Sequence, residues 1–255
     1  DSMNVYLLKT DASGIEHWTK TFGGTDYDRG YSVQQTTDGG YIIVGETSSF
    51  GNGNGHSDVY LIKTDAMGIE QWTQTFGGTD HESGYSVQQT TDGGYIIVGE
   101  THSFANGMPS VNGEPTLYLI KTAANGVEQW SWAFVGTDVE GVGYCVQQTT
   151  DGGYIITGEV YSSNDLSVIK TDANGMTQWS KTFGDSNMSD EGKSVQQTND
   201  GGYIIVGTYA VANGGSSVYL IKTDASGIEQ WTKTFGGTDS DYGYSVQQTT
   251  DGGYI

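Results

Sequence analysis

The sequence has little cysteine, little proline and little positive charge. Its 255 residues include one cysteine and two prolines, so an internal disulfide framework is excluded. Lysine and arginine number 10 against 31 aspartates and glutamates, which gives a formal net charge of −21. Nucleic acids and anionic lipid headgroups are bound through basic surfaces. The composition therefore argues against nucleic acid as a partner and against insertion into an anionic membrane.

Long apolar runs are also missing. No stretch approaches the roughly 18 apolar residues of a membrane-spanning helix, and the N-terminus lacks the pattern of a signal peptide. The chain begins and ends in the middle of repeats, which is typical of a trimmed piece of a longer precursor. Hydrophobic residues still make up 35% of the chain, with 17 tyrosines and six tryptophans. These are enough to build a core, so we expect a folded protein.

Internal repeats dominate the sequence. The tag DGGYI occurs five times, at 38–42, 92–96, 151–155, 200–204 and 251–255. A strand-like phrase ending in Lys-Thr recurs at Lys9, Lys63, Lys121, Lys170 and Lys222. Tryptophans at 18, 72, 130, 179 and 231 are spaced by 49 to 58 residues. A repeat of that length is typical of β-propeller blades, which need roughly 40 to 50 residues each.

One repeat predicts four antiparallel strands. Residues 84–90 (GYSVQQT) alternate in polarity, and residues 95–101 (YIIVGET) form a short apolar run after the turn at Asp92. Residues 116–122 and 127–134 supply two more strands around a tight Asn-Gly turn. The middle strands are apolar on both faces, so both faces must be covered, as they are between neighbouring propeller blades.

The strand count predicts a closed ring. Residues 4–22 correspond to the last two strands of a repeat, and residues 243–255 to the first strand and the start of the second. We therefore predict one domain over residues 1–255, an all-β, five-bladed β-propeller with four antiparallel strands per blade, closed by N- and C-terminal strands that share one blade. The predicted blades are residues 29–76, 83–136, 142–184, 192–236, and 243–255 together with 1–22.

The repeat is similar to a known type. The pattern G-G-T-D-x-D-x-G-Y-S-V-Q-Q-T-x-D-G-G-Y-I-I-V-G, followed by D-V-Y-L-I-K-T-D-x-x-G-x-x-x-W, resembles the Ser-rich β-propeller repeats of large secreted and cell-surface proteins of bacteria and archaea. The resemblance covers nearly the whole chain. It implies an extracellular or cell-surface location, but a propeller fold alone does not indicate an activity. The small number of blades departs from the usual pattern.

Acidic residues precede the first strand of each repeat. Three interpretations stay open: caps of tight turns, ligands of Ca²⁺, which prefers several oxygen donors, or direct contacts to a polar ligand such as a sugar. Calcium is the only cofactor that the sequence indicates, although no copy contains a complete calcium-binding loop. The candidate metal ligands are Asp26, Asp28, Asp80, Glu82, Asp138, Glu140, Asp190, Asp239 and Asp241.

The loops after the second strand of each repeat vary in length and content. Ligand sites in propellers lie on such loops, and we expect these to emerge on the same face as the acidic residues. Aromatic and imidazole side chains there are candidate contacts to a sugar ring or to a protein partner. The candidates are Phe50, His56, His102, Phe104, Tyr161 and Tyr209. The paired glutamines of the first strand, such as Gln34 and Gln35, predict either a polar channel or amides that bond the backbone and one another.

The sequence contains no pattern of catalytic groups. Its four histidines occupy different places in their repeats, and the repeated acids do not separate a general acid from a nucleophile. We predict a non-enzymatic, extracellular binding or adhesion module that recognises a glycan or a cell-surface protein. The alternative is a structural spacer or assembly subunit of a surface protein, and a glycoside-acting enzyme ranks third.

Overall fold

The fold is all-β. A computed structural model of the protein describes residues 3–51, 55–103, 114–134, 141–184, 188–211 and 214–255. These residues form 18 β-strands and no helix, so they include no helix that could cross a membrane. The chain divides into two compact units, residues 1–113 with 119–133 and residues 114–118 with 134–255. The all-β prediction is confirmed, while one domain over residues 1–255 stays a prediction.

The first ten strands form three antiparallel sheets. The two-stranded sheet pairs β1 (Val5–Thr10) with β2 (Glu16–Phe22). The next sheet contains β3 (Asp28–Gln35), β4 (Tyr41–Thr47), β5 (Asp58–Thr64) and β6 (Glu70–Phe76) in chain order. The third contains β7 (Glu82–Gln89), β8 (Tyr95–Thr101), β9 (Thr116–Thr122) and β10 (Glu128–Phe134).

The remaining strands form two more sheets of the same design. One contains β11 (Gly141–Gln148), β12 (Tyr154–Val160), β13 (Asp165–Thr171) and β14 (Thr177–Phe183). The other contains β15 (Glu191–Gln197), β16 (Tyr203–Ala210), β17 (Ser216–Thr223) and β18 (Glu229–Phe235). Four sheets of four antiparallel strands match the four complete repeats of the sequence, so the prediction of four antiparallel strands per repeat is confirmed for them.

The predicted shared blade is not formed. Strands β1 and β2 stand as a two-stranded sheet, and residues 243–255 contain only an isolated bridge between Gln248 and Tyr254. The physical reason is the length of the last segment: Tyr254 and Ile255 begin a strand that has seven or eight residues in the complete repeats. The outer edge of β1 is consequently open. Tyr6 is 64% exposed, whereas Tyr60, its counterpart in β5, is 2% exposed.

The core lies between stacked sheets. Val5, Leu7 and Phe22 of the two-stranded sheet pack against Ile43 and Ile62 of the next sheet. In the second unit, β12 and β13 pack against β15, β16 and β17 in the same way. Since the middle strands are covered on both faces, their uninterrupted apolar runs are explained by burial.

Tryptophans of the outer strands pack onto the following sheet. The ring of Trp18 meets that of Tyr41 edge-on, with 5.8 Å between centroids. The ring of Trp72 is tilted against that of Tyr95, with 5.9 Å between centroids. These tryptophans therefore lie between neighbouring sheets.

The paired glutamines connect neighbouring sheets. The side-chain oxygen of Gln34 accepts a hydrogen bond of 2.6 Å from the backbone N–H of Gln89. In return, the side-chain oxygen of Gln89 accepts one of 2.8 Å from the backbone N–H of Thr37. Gln147 and Gln197 repeat the first bond in the second unit. These amides bond the backbone, as one of the two predictions for them states.

Candidate functional site

Three acidic residues cap the turn ahead of the first strand of their repeats. Asp28 is fully buried, and its carboxylate accepts hydrogen bonds from the Gly24 N–H at 2.8 Å, from the Ser49 hydroxyl at 2.7 Å and from the Thr47 hydroxyl. Because Ser49 lies in the loop after β4, these bonds join the acidic turn to a variable loop. The other capping acids are Glu82 and Asp241. Asp190 is also fully buried, and its carboxylate accepts a hydrogen bond of 2.8 Å from the Ala210 N–H at the end of β16.

The capping of Glu82 shows the same design. Its carboxylate accepts hydrogen bonds from the Gly78 N–H at 2.8 Å, the Thr101 hydroxyl at 2.7 Å and the Ser103 N–H at 3.1 Å. The turn-cap interpretation of these second acids therefore has direct geometric support. It also explains why acidic turns and variable loops lie together, since the capping carboxylate binds both.

A second side-chain oxygen faces the capping acid in several repeats. Around Gly184, where a β-carbon would lie 3.0 Å from Asp165 Oδ1, the carboxylates of Asp165 and Asp190 come together. Asp165 is 9% exposed, and none of the described residues donates a hydrogen bond to its Oδ1. Asp58 and Glu82 meet around Gly77 in the same arrangement. Asp58 and Asp165 were not among the predicted ligands, because each is the first residue of a strand, β5 and β13, and not part of an acidic turn.

The first acids of each pair point to solvent. Asp26, Asp80 and Asp239 are exposed. The backbone N–H of Asp26 donates to Ser49 Oγ at 3.0 Å, so its position is fixed although its carboxylate is free of the turn. Asp138 and Glu140 lie outside the described residues. In that repeat Gly141 pairs with Val160, at the position where Asp28 pairs with Thr47. Calcium binding by these acids stays a prediction.

The predicted aromatic contacts differ in their exposure. Phe50 follows Ser49, is 50% exposed, and has its ring centroid 5.7 Å from that of Tyr60. Tyr209 is partly buried, with its ring centroid 5.1 Å from that of Tyr219. Tyr161 is partly buried in the turn after β12. Phe104 lies outside the described residues.

Three histidines converge beside Asp80. His56 Nδ1 lies 2.9 Å from His81 Nε2 and 3.6 Å from Asp80 Oδ1. The ring of His102 is 6.4 Å from that of His81, and its backbone N–H donates to the His81 carbonyl at 2.8 Å. This cluster was not predicted, because the four histidines do not recur at one position of the repeat. One feature of the sequence does point to the cluster. The variable loops before and after the Asp80-His81 turn each contain a histidine, His56 and His102.

Comparisons with known proteins show similarity at the level of fold. No family model matches the chain, and no curated protein is significantly similar to it. A Bacteroides caccae protein of unknown function superposes with a TM-score of 0.54 at 13% identity, over 89% of this chain and 73% of that one. The exo-β-1,3-galactanase 1,3Gal43A of Clostridium thermocellum gives a TM-score of 0.49 at 12% identity, over 91% of this chain and 52% of the galactanase.

Proposed function

We propose that this chain is a non-enzymatic binding module for carbohydrate, presented outside the cell on a five-bladed propeller. One observation carries the proposal: hydrogen bonds to the capping acids join variable loops to the acidic turns, so an exposed aromatic residue and an exposed acid belong to two segments that are bonded together. Phe50 follows Ser49, which hydrogen-bonds both the Asp26 N–H and the Asp28 carboxylate. Tyr27, 44% exposed, lies in the same turn.

The chemistry of these groups suits a sugar. An aromatic face packs against the C–H groups of a pyranose ring, while a carboxylate accepts hydrogen bonds from its hydroxyls. The loop and the turn are fixed by hydrogen bonds to a buried acid, so less conformational entropy is lost when a ligand is bound. A protein on a cell surface is the alternative partner for the same surface.

Binding to a panel of immobilised glycans tests the proposal. Phe50→Ala and Asp26→Ala are each expected to weaken the best glycan by roughly three- to tenfold, since stacking contributes about 0.5–1.5 kcal/mol. Met67→Ala is the matched control, because Met67 is 62% exposed but lies in the turn between β5 and β6, at the far end of β5 from Phe50. Binding to no glycan would favour the spacer function.

Calcium is the cofactor that we propose, bound between the paired buried carboxylates. Asp165 Oδ1 is buried without a donor in the described part of the chain, and the Asp190 carboxylate faces the same glycine. A hard cation would neutralise the two carboxylates. Asp165→Asn should abolish part of the rise in melting temperature that Ca²⁺ causes. The substitution is compatible with the fold, because Asn4 faces Asp28 around Gly23 in the equivalent arrangement. No rise in the parent protein would contradict the calcium proposal.

Ring closure is tested by hydrogen exchange. In a closed propeller the outward-facing amides of β1 are hydrogen-bonded to a further strand and exchange as slowly as those of β5. With the open edge seen beside Tyr6 and Leu8 they exchange rapidly. Slow exchange in β1 would support the five-bladed ring, and rapid exchange would contradict closure in this chain.

A further inference from the structure

We propose that His56, Asp80 and His81 form a binding site for one divalent transition-metal ion, with Zn²⁺ as its reference ligand. The three side chains come from two segments: His56 lies in the loop before β5, and Asp80 and His81 lie in the turn before β7. They bring one donor atom each to within 4.8 Å of the others. This site is independent of carbohydrate binding and of the paired carboxylates discussed above.

The distances suit direct coordination. Zinc binds imidazole nitrogen at about 2.0–2.1 Å in a tetrahedral arrangement, which puts neighbouring donor atoms roughly 3.3 Å apart. His56 Nδ1 is 2.9 Å from His81 Nε2 and 3.6 Å from Asp80 Oδ1. These two separations bracket the required one, and all three donor atoms lie within 4.8 Å of one another, so rotation of the exposed side chains can bring them to one ion.

The donor set selects the class of metal. Two imidazoles and one carboxylate suit Zn²⁺, Cu²⁺ and Ni²⁺, whereas Ca²⁺ and Mg²⁺ prefer oxygen ligands. Three protein ligands leave a fourth tetrahedral position open to water. Asp80 and His81 are exposed and His56 is partly buried, so the ion can enter from solvent without opening the sheets.

Neighbouring groups hold the ligands in place. The backbone N–H of Asp80 donates to Ser103 Oγ at 2.9 Å, and the His102 N–H donates to the His81 carbonyl. Ser57 Oγ lies 3.2 Å from His81 Nδ1. The Ser57 backbone N–H also donates to His81 Nδ1, at 3.2 Å. When His81 Nε2 binds a metal, its Nδ1 carries the proton, so this bond is replaced by one from Nδ1–H to the Ser57 hydroxyl. Such outer partners orient ligating histidines in known metal sites.

The repeats show that the scaffold does not require these histidines. Glu82 and Asp28 make equivalent caps, and the residue before Glu82 is His81 while the residue before Asp28 is Tyr27. The capping acid Asp241 is preceded by Ser240. Three of the four histidines of the chain nevertheless gather in this one place. The position of His81 is occupied by other residues in other repeats, yet here its histidine lies against His56 and His102. This indicates a site specific to this repeat.

Calorimetric titration of Zn²⁺ into the chelator-treated protein tests the site, with the chain purified without a polyhistidine tag. We expect one saturable site per chain, unaffected by millimolar Ca²⁺. His81→Tyr and His56→Ser should each weaken binding by at least about tenfold, since even loss of a hydrogen-bond partner of a ligand costs about that much. Co²⁺ in place of Zn²⁺ should give the visible absorption of a tetrahedral complex with nitrogen and oxygen ligands.

The repeats also supply the control. His17→Gln should leave Zn²⁺ affinity unchanged, because His17 lies in β2 where the other repeats have glutamine, as at Gln71. His81→Tyr introduces the residue found at Tyr27, and its metal-free melting temperature reports whether it folds. If His81→Tyr does not fold, His56→Ser provides the second test of the metal ligands. Equal affinity in the parent and the ligand variants, or loss of binding in His17→Gln, would overturn the proposal.

Discussion

Lys63 donates a hydrogen bond of 2.8 Å from its ammonium to the carboxylate of Asp38. The lysine side chain is 4% exposed and the aspartate side chain 57% exposed, so a buried cation is paired at the surface of the sheet. The Lys63 ammonium also donates to the Thr64 carbonyl at 2.8 Å. The pair joins the DGGYI tag to the Lys-Thr phrase, and Lys121–Asp92, Lys170–Asp151 and Lys222–Asp200 repeat it.

This ion pair predicts a specific loss of stability in acid. The hydrogen bond from Lys63, followed by those from the Thr36 hydroxyl and the Gly40 N–H, lowers the pKa of Asp38 to about 2. Because the folded-state pKa is below the unfolded value of about 3.9, the pair stabilises the protein above pH about 4 and loses that stabilisation as the pH falls towards 2.

The Asp38→Asn variant checks the pH dependence. Its melting temperature should be lower than that of the parent at pH 7, and the gap should close as the pH falls from about 4 to about 2. The Lys63→Met variant tests the pairing, since Asp38→Asn added to it should cost less than Asp38→Asn alone. A gap that stays constant from pH 7 to pH 2 would show that the carboxylate contributes no charge-dependent stability.

Replacing Gly68 by alanine should destabilise the protein through overpacking. A β-carbon there would lie 2.7 Å from the Trp18 ring, and its φ is +72°. Gly14 occupies the same turn position with a φ of +79°, but nothing lies within 4 Å of its β-carbon position. Both alanine variants carry the left-handed backbone cost of roughly 1 kcal/mol. Gly68→Ala should lose a further 1–3 kcal/mol, approximately, by overpacking.

Urea denaturation of the two glycine variants measures this difference. A larger loss in the free energy of unfolding for Gly68→Ala than for Gly14→Ala is expected. Adding Trp18→Ala removes the ring but leaves Lys20 Cγ 2.9 Å from the β-carbon position, so it should reduce the effect of Gly68→Ala towards that of Gly14→Ala. Equal losses in both single variants would mean that Trp18 moves aside without cost.

Gln34 joins two neighbouring sheets, so we expect its replacement to lower the free energy of unfolding. Gln34→Met leaves the partly buried Gln89 N–H without its acceptor, which costs roughly 1 kcal/mol in the free energy of unfolding. Gln35→Met is the matched control, since Gln35 is exposed and its amide donates to the Gly39 carbonyl of its own turn at 3.3 Å. Its cost should stay below about 0.5 kcal/mol. Similar losses in both variants would contradict a role for Gln34 between sheets.

Local periodicity was enough to predict the strands. The four-strand repeat follows from alternating first strands, doubly apolar middle strands and turn glycines, and each of these patterns lies within one repeat. Closure through residues 243–255 could not be predicted in the same way, because it depends on pairing between distant segments. There the segment starting at Tyr254 is too short to complete its strand.

The candidate sites were predicted less well than the strands. The acidic turns could be predicted because they recur in each repeat. Their partners Asp58 and Asp165 could not, because each is the first residue of a strand and carries no signal of its own. The cluster of His56, Asp80 and His81 depends on where two loops meet. Such a meeting is a property of tertiary packing, and repetition gives no signal for a site that occurs in one repeat alone.

A substitution at Asp28 distinguishes its role as a turn cap from a role as a calcium ligand. Asp28→Ala removes the acceptor of the Gly24 N–H and of the Thr47 and Ser49 hydroxyls, so the variant should lose roughly 2–4 kcal/mol in the free energy of unfolding. Since Asn4, which is neutral, faces Asp28, we expect this loss to be the same in chelator and in millimolar Ca²⁺. A loss that appears only when Ca²⁺ is present would make Asp28 a calcium ligand and would contradict the cap. Paired thermal melts of the parent and the variant, with and without Ca²⁺, decide between the two roles.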